Sequence, residues 1–127
     1  MSLDKTVLVV EDDIRFRTIL VDKLGHEGFN VITAKDGEDG MNTALSVKPD
    51  LILLDLLMPK MGGLSFMSHL RADKWGASVP IIVFTNLEAD DKILQNIVEN
   101  KPAYYFIKTN FPLNNLVSKI KELLHLN

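Results

Sequence analysis

The sequence predicts a doubly wound α/β domain built on a five-stranded parallel sheet, and three observations predict it. Short apolar, β-branched runs alternate five times with segments of helical periodicity. Most of the runs are apolar at consecutive positions, as strands covered on both faces are. Four of them end in polar residues, which a parallel sheet collects at its carboxyl edge, where ligands bind in such folds.

The elements follow in order. Val7-Leu8-Val9-Val10 is the first strand and runs into Glu11-Asp12-Asp13. Phe16, Ile19, Leu20 and Leu24 then keep a helical spacing, and Gly25 or Gly28 ends that helix. Phe29-Asn30-Val31-Ile32-Thr33 alternates more and reads as an edge strand. Asp36-Gly37 opens a second helix carrying Met41, Ala44 and Leu45, which stops before Pro49. Leu51-Ile52-Leu53-Leu54 is the third strand, ending in Asp55. Gly63 precedes a third helix with Leu64, Phe66, Met67 and Leu70, whose end Trp75 covers. Pro80-Ile81-Ile82-Val83-Phe84 is the fourth strand, ending in Thr85. The acidic run Glu88-Ala89-Asp90-Asp91 suits the first turn of a fourth helix, where the dipole favours negative charge. That helix carries Ile93, Leu94, Ile97 and Val98 and closes before Pro102. Tyr104-Tyr105-Phe106-Ile107 is the fifth strand, ending in Lys108. Leu113, Leu116, Val117, Ile120, Leu123 and Leu124 form the apolar stripe of the last helix. At this size, right-handed crossovers make a flavodoxin-like strand order 2-1-3-4-5 the natural arrangement.

Composition bounds the function. The 127 residues make one domain, 1–127, with 46% hydrophobic and 24% charged residues, as in a soluble globular protein. A formal net charge of −3 supplies no basic footprint for direct nucleic-acid binding. With no cysteine, disulfides and thiolate metal sites are excluded. Neither a signal peptide nor an apolar run of about 20 residues is present, so a cytoplasmic protein away from the membrane is expected.

Glu11, Asp12, Asp55, Thr85 and Lys108 gather at the sheet edge. Three crowded carboxylates repel one another, and a cation or a raised pKa relieves the repulsion. Magnesium suits an all-oxygen set, whereas the scattered His26, His69 and His125 recommend no zinc site. A carboxylate, a metal, a lysine and a hydroxyl match the needs of phosphoryl transfer to an aspartate. Asp55 is then the nucleophile. The competing assignment for Lys108 is a purely structural ion pair. A flavodoxin-like cofactor site would need a phosphate-cradling loop after the first strand, and Glu11-Asp12-Asp13 repels phosphate.

The stretches Val9-Val10-Glu11-Asp12-Asp13, Leu54-Asp55-Leu56-Leu57-Met58-Pro59, Phe84-Thr85 and Tyr105-Phe106-Ile107-Lys108 resemble those of bacterial response-regulator receiver domains. The resemblance covers essentially the whole chain. It implies a signalling phosphoacceptor rather than an enzyme, with Asp55 taking a phosphoryl group from a histidine kinase or a histidine phosphotransfer protein. By position it implies magnesium held by Asp12, Asp55 and the backbone carbonyl of Leu57, with Glu11 acting mainly through water. It makes Thr85 and Tyr105 the hydroxyl and aromatic switch pair. It also implies a monomer, or a phosphorylation-dependent dimer formed through the face of the fourth helix, fifth strand and fifth helix. Asp13 falls outside the acidic pair and reads as the cap of the first helix. The residues fit equally a stand-alone regulator and the receiver of a longer one.

The chain departs from that pattern around the last strand. Thr109 replaces the proline that usually follows the lysine with a cis bond. A cis bond before a non-proline residue costs roughly 2.5–4 kcal/mol, so a trans bond and a rearranged loop are expected, which puts the reach of Lys108 in question. Asn86 stands where a small residue usually follows the hydroxyl, and Lys101-Pro102 replaces a glycine-alanine pair. In receiver domains the positions of Leu57, two after Asp55, and Leu87, two after Thr85, flank the pocket mouth, and neither leucine can orient a water by hydrogen bonding, so slow autodephosphorylation is expected.

Overall fold

Strands form where the apolar runs lie. A computed structural model describes residues 3–126. The elements are β1 (Thr6–Val10), α1 (Ile14–His26), β2 (Asn30–Ala34), α2 (Gly37–Val47), β3 (Leu51–Leu54), α3 (Gly63–Ala72), β4 (Ile81–Thr85), α4 (Asp91–Glu99), β5 (Tyr104–Ile107) and α5 (Leu113–Leu123). A single 3₁₀ turn, Lys108–Asn110, joins β5 to α5. All strand pairs are parallel and the order is β2-β1-β3-β4-β5, as the alternation and size predict. Among the described residues no helix is long and apolar enough to cross a membrane.

Consecutive apolar residues are needed because the sheet is covered on both sides. Leu8, Val10, Ile52, Leu54, Ile81 and Val83 face one core with Phe66, Met67 and Leu70 of α3. Val7, Val9, Leu51, Leu53, Ile82 and Phe84 face the other, against Leu20 and Leu24 of α1 and Leu116, Val117 and Ile120 of α5. At about 25 cal/mol per Å² of apolar surface buried, these two layers are the main source of stability.

Local chemistry sets the ends of the helices. Asp13, Asp36 and Asp90 cap α1, α2 and α4, each accepting a backbone N–H of the first turn. The first helix runs through Gly25 and the chain turns at Gly28, whose φ of 99° is open to glycine at no cost. Gly63 lets α3 start hard against the chain that leaves β3. A Cβ there would lie 2.6 Å from the Leu56 Cα and 2.7 Å from the Asp55 carbonyl oxygen.

Three details differ from the sequence expectation. The second strand is shifted by one residue, because the Phe29 N–H bonds the Leu24 carbonyl and its ring is buried under α1. Pro80 has no N–H to donate and stays outside β4, although its carbonyl accepts from Ile52. On α4 only Ile97 is buried, while Leu94 and Val98 are 41% and 66% exposed. That helix lies lightly on the sheet and presents apolar groups outward.

The far end of α4 is held firmly. The Arg71 guanidinium donates to the carbonyls of Gly76 and Val79 at 2.8 Å, Asn100 at 2.9 Å and Lys101 at 3.1 Å. One side chain thus ties the end of α3 to the loops before β4 and before β5. Arg71→Ala should destabilise the fold by about 2–4 kcal/mol, because charge-assisted bonds are lost and carbonyls are left unpaired. Arg71→Lys should recover less than half of that, since an ammonium lacks the planar fork. Urea unfolding measures both.

Candidate functional site

The candidate side chains leave the carboxyl ends of four of the five strands. Glu11 and Asp12 follow β1, Asp55 follows β3, Thr85 ends β4 and Lys108 follows β5. The parallel order therefore brings them to one edge, near the point between β1 and β3 where the winding reverses. Glu11, Asp55 and Thr85 are buried, with exposures of 2%, 6% and 0%, and Asp12 is exposed.

Both oxygens of Asp55 are engaged. Thr85 Oγ1 donates to Oδ1 at 2.6 Å, and the Leu57 N–H donates to the same oxygen at 3.2 Å. Lys108 Nζ donates to Oδ2 at 3.0 Å and also to Glu11 Oε1. The lysine thus spans two buried carboxylates. The Lys108–Thr109 peptide is trans, since no described peptide is cis, and a 3₁₀ turn follows. Lys108 reaches Asp55 with this trans bond.

Electrostatics follow from this burial. Desolvation pushes the Glu11 carboxyl up from 4.5 to about 7, opposed by its bond to Lys108 and reinforced by the neighbouring charge of Asp55. Burial alone would lower the Lys108 ammonium, but the bond to Glu11 and the charge of Asp55 outweigh it and raise its pKa. The site thus favours a cation, either the ammonium or a metal.

Glu11, Asp12 and Asp55 each offer a carboxylate oxygen, and these oxygens lie within 4.8 Å of one another. An all-oxygen set of this charge fits magnesium, and Asp12 is the solvent-exposed member of the three. His26, His69 and His125 lie outside this cluster, and His69 bonds within its own helix to Ser65. Asp13 caps α1 through the Arg15 N–H. Trp75 packs half-buried against the α3 core.

Thr85 connects the pocket to the β4–α4 loop. Its oxygen accepts the Leu87 N–H at 3.2 Å, and the Leu87 carbonyl accepts the Tyr105 hydroxyl at 3.1 Å. Tyr105 is half-buried beside a groove of about 660 Å³ that Leu94 and Thr109 also line. Leu57 is 49% exposed, while Leu87 packs against the core.

Two neighbours were not visible in the sequence as site residues. The Phe16 ring lies 4.3 Å from Lys108 Nζ, a cation–π support that the sequence shows only as part of the apolar stripe of α1. Arg17 Nη1 donates to the Glu11 carbonyl at 2.8 Å and fixes the turn that carries the acidic pair. Neither sits in a recognisable motif. Their one signal is a position within the first turn of the helix after Asp12.

Comparison with known proteins agrees with this fold. The family model for the response regulator receiver domain matches residues 7–121. The alkaline phosphatase synthesis transcriptional regulatory protein PhoP of Bacillus subtilis is 39% identical over 93 residues, 72% of this chain and 38% of its own. The response regulator ArlR of Staphylococcus aureus is 34% identical over 119 residues, 93% of this chain and 52% of its own. The chain thus spans about half the length, or less, of these curated relatives. Among solved structures, the chemotaxis protein CheY4 of Vibrio cholerae superposes with a TM-score of 0.84 at 26% identity, covering 94% of this chain and 98% of its own. The signal receiver domain of a signal transduction histidine kinase from Syntrophus aciditrophicus gives 0.86 at 26% identity, covering 95% and 90%. The chain belongs to the response regulator receiver domain family.

Proposed function

We propose that Asp55 accepts a phosphoryl group from a phosphohistidine of a histidine kinase or histidine phosphotransfer protein, and that Thr85 and Tyr105 relay the event to protein contacts. One observation carries this reading. A nearly buried Asp55 has a hydroxyl donor on one carboxylate oxygen and an ammonium on the other, at the open edge of the sheet. In the transfer a carboxylate oxygen forms the O–P bond as the P–N bond breaks, and the imidazole leaves with the electron pair and takes a proton. The incoming oxygens arrive beside donors already in place, the preorganisation that lowers such barriers. Magnesium, held by Asp12, Asp55 and the Leu57 carbonyl with Glu11 acting through water, would supply further positive charge. Thr85 is a single hydrogen bond from Leu87, and Leu87 another from Tyr105, so a shift of the hydroxyl bears on the ring. The outward Leu94 and Val98 and the adjoining groove suit the face of α4, β5 and α5 to a protein target or a second copy. The domain is read as the whole of 1–127 and as cytoplasmic.

Incubation with magnesium and a small phosphodonor should add one phosphoryl mass to the protein and none to Asp55→Asn, as intact mass shows. An adduct that survives in the variant defeats the assignment.

Magnesium affinity should rise as pH passes through about 7, because a proton on Glu11 competes with the ion. In metal-free protein the sign reverses. The raised Glu11 value stabilises the fold fully below 4.5, and that contribution is lost as pH climbs through about 7. Glu11→Gln should flatten both profiles, measured by calorimetric titration and by urea unfolding.

Leu57 and Leu87, two residues after Asp55 and Thr85, carry no group that can align an attacking water, so the phosphorylated state should be long-lived. Replacing both by polar residues should shorten its half-life about tenfold, a barrier change of about 1.4 kcal/mol. An unchanged decay would assign the two leucines to packing alone.

A further inference from the structure

The two positions that depart from the family pattern on either side of the pocket, Asn86 and Thr109, meet in the structure. The Thr109 N–H donates to Asn86 Oδ1 at 3.2 Å. Each residue directly follows one that touches Asp55, since Asn86 follows Thr85 and Thr109 follows Lys108. Together with the Thr85–Asp55 and Lys108–Asp55 bonds, this closes a ring of contacts that begins and ends on the Asp55 carboxylate. The bond needs both departures. A proline at 109 has no N–H to give, and a small apolar residue at 86 has no oxygen to receive it.

We propose that Asn86 is a positioning residue that holds Lys108 over Asp55 by pinning the first peptide of the turn after β5. A proline would fix φ at that point by its ring. Threonine leaves the torsion free, and the amide oxygen of Asn86 restrains it from the neighbouring loop. Asn86 and Thr109 are both exposed, so water competes for the bond and its effect is modest. The restraint matters because the Lys108 side chain bridges Glu11 and Asp55, and its backbone anchor lies in a single short turn. The importance of this bond for phosphoryl transfer rests on the Asp55 reading above. Its effect on Lys108 does not.

Two measurements on the full chain separate these claims. The first is the proton–nitrogen signal of the Lys108 ammonium in magnesium-free protein, identified by its loss in Lys108→Gln. Asn86→Ala should speed the exchange of these protons with water about fivefold, the loss of about 1 kcal/mol of restraint. Asn86→Asp, which keeps an acceptor oxygen for the Thr109 N–H, should leave the exchange no faster than in the wild type. The second is the rate of phosphorylation by acetyl phosphate at saturating magnesium. Asn86→Ala should slow it about fivefold with magnesium affinity unchanged and urea stability lowered by no more than the about 1 kcal/mol of the lost bond, which a general loss of structure would not allow. An ammonium signal unaltered in Asn86→Ala overturns the inference, whatever the phosphorylation rate. Exchange as fast in Asn86→Asp as in Asn86→Ala also overturns it, because the acceptor oxygen is then not what acts. A responsive ammonium in a wild-type protein that takes no phosphoryl group overturns the Asp55 reading and leaves the Asn86 restraint standing.

Discussion

The reach of Lys108 across the sheet is the constraint on which the site depends. Strand β5 lies two places from β3 and three from β1, roughly 10 and 14 Å away at about 4.8 Å per strand. A cation at the end of β5 touches Asp55 only on a long stem, and it must pass over the end of β4. Thr85 occupies that point and is small enough to lie beneath it while still donating to the same carboxylate. The acid that meets the ammonium from β1 is Glu11, whose extra methylene shortens the gap that an aspartate would leave. The residue types thus follow from strand spacing. They run long, short, small and long from β1 through β3 and β4 to β5.

This bridge also explains how two carboxylates can be buried with little exposure. Removing one partner of a buried ion pair typically costs about 3–5 kcal/mol, so Lys108 holds the pocket together while it awaits a different occupant. Phe16 stiffens the arrangement from below by offering its ring face to the ammonium. The Glu11 carboxyl, held near 7, sits between its neutral and ionised forms close to neutral pH. A fully ionised pair without a counterion could not persist there.

Much of this was legible in the chain before folding. Strands β1, β3 and β4 announced themselves because a strand covered on both faces must be apolar at consecutive positions, and few other elements of that length are. The polar residues at their ends were legible for the same reason, since parallel strands deliver their termini to one edge. The boundary of β2 was missed by one residue, because Phe29 answers to a carbonyl of α1 rather than to the sheet. The stripe of α4 predicted more burial than the helix achieves, since periodicity marks which side chains share a face and says nothing about how closely that face is covered. Phe16, Arg17 and the Asn86–Thr109 bond were hidden because each acts through a backbone group or a ring face brought near by tertiary geometry. No spacing in the sequence encodes such contacts.

Packing is uneven along α4, and that unevenness bears on how a local change would travel. Its C-terminal end rests on Ile97 and on the Asn100 and Lys101 carbonyls that Arg71 holds against α3. Its N-terminal end is reached from Thr85 through Leu87 and shares a groove with Tyr105 and Thr109. One end is fixed by a half-buried fork of charge-assisted bonds, and the other by neutral bonds and the partly buried Leu87, Ala89 and Ile93. Breaking a neutral bond costs about 1 kcal/mol, whereas bonds to a charged group cost about 1.5–3 each. A displacement that begins at the Thr85 hydroxyl therefore meets its least resistance in the first turns of α4, with the Arg71 end as the fixed point. The exposed Leu94 lies on that half, within the face proposed above for protein contacts.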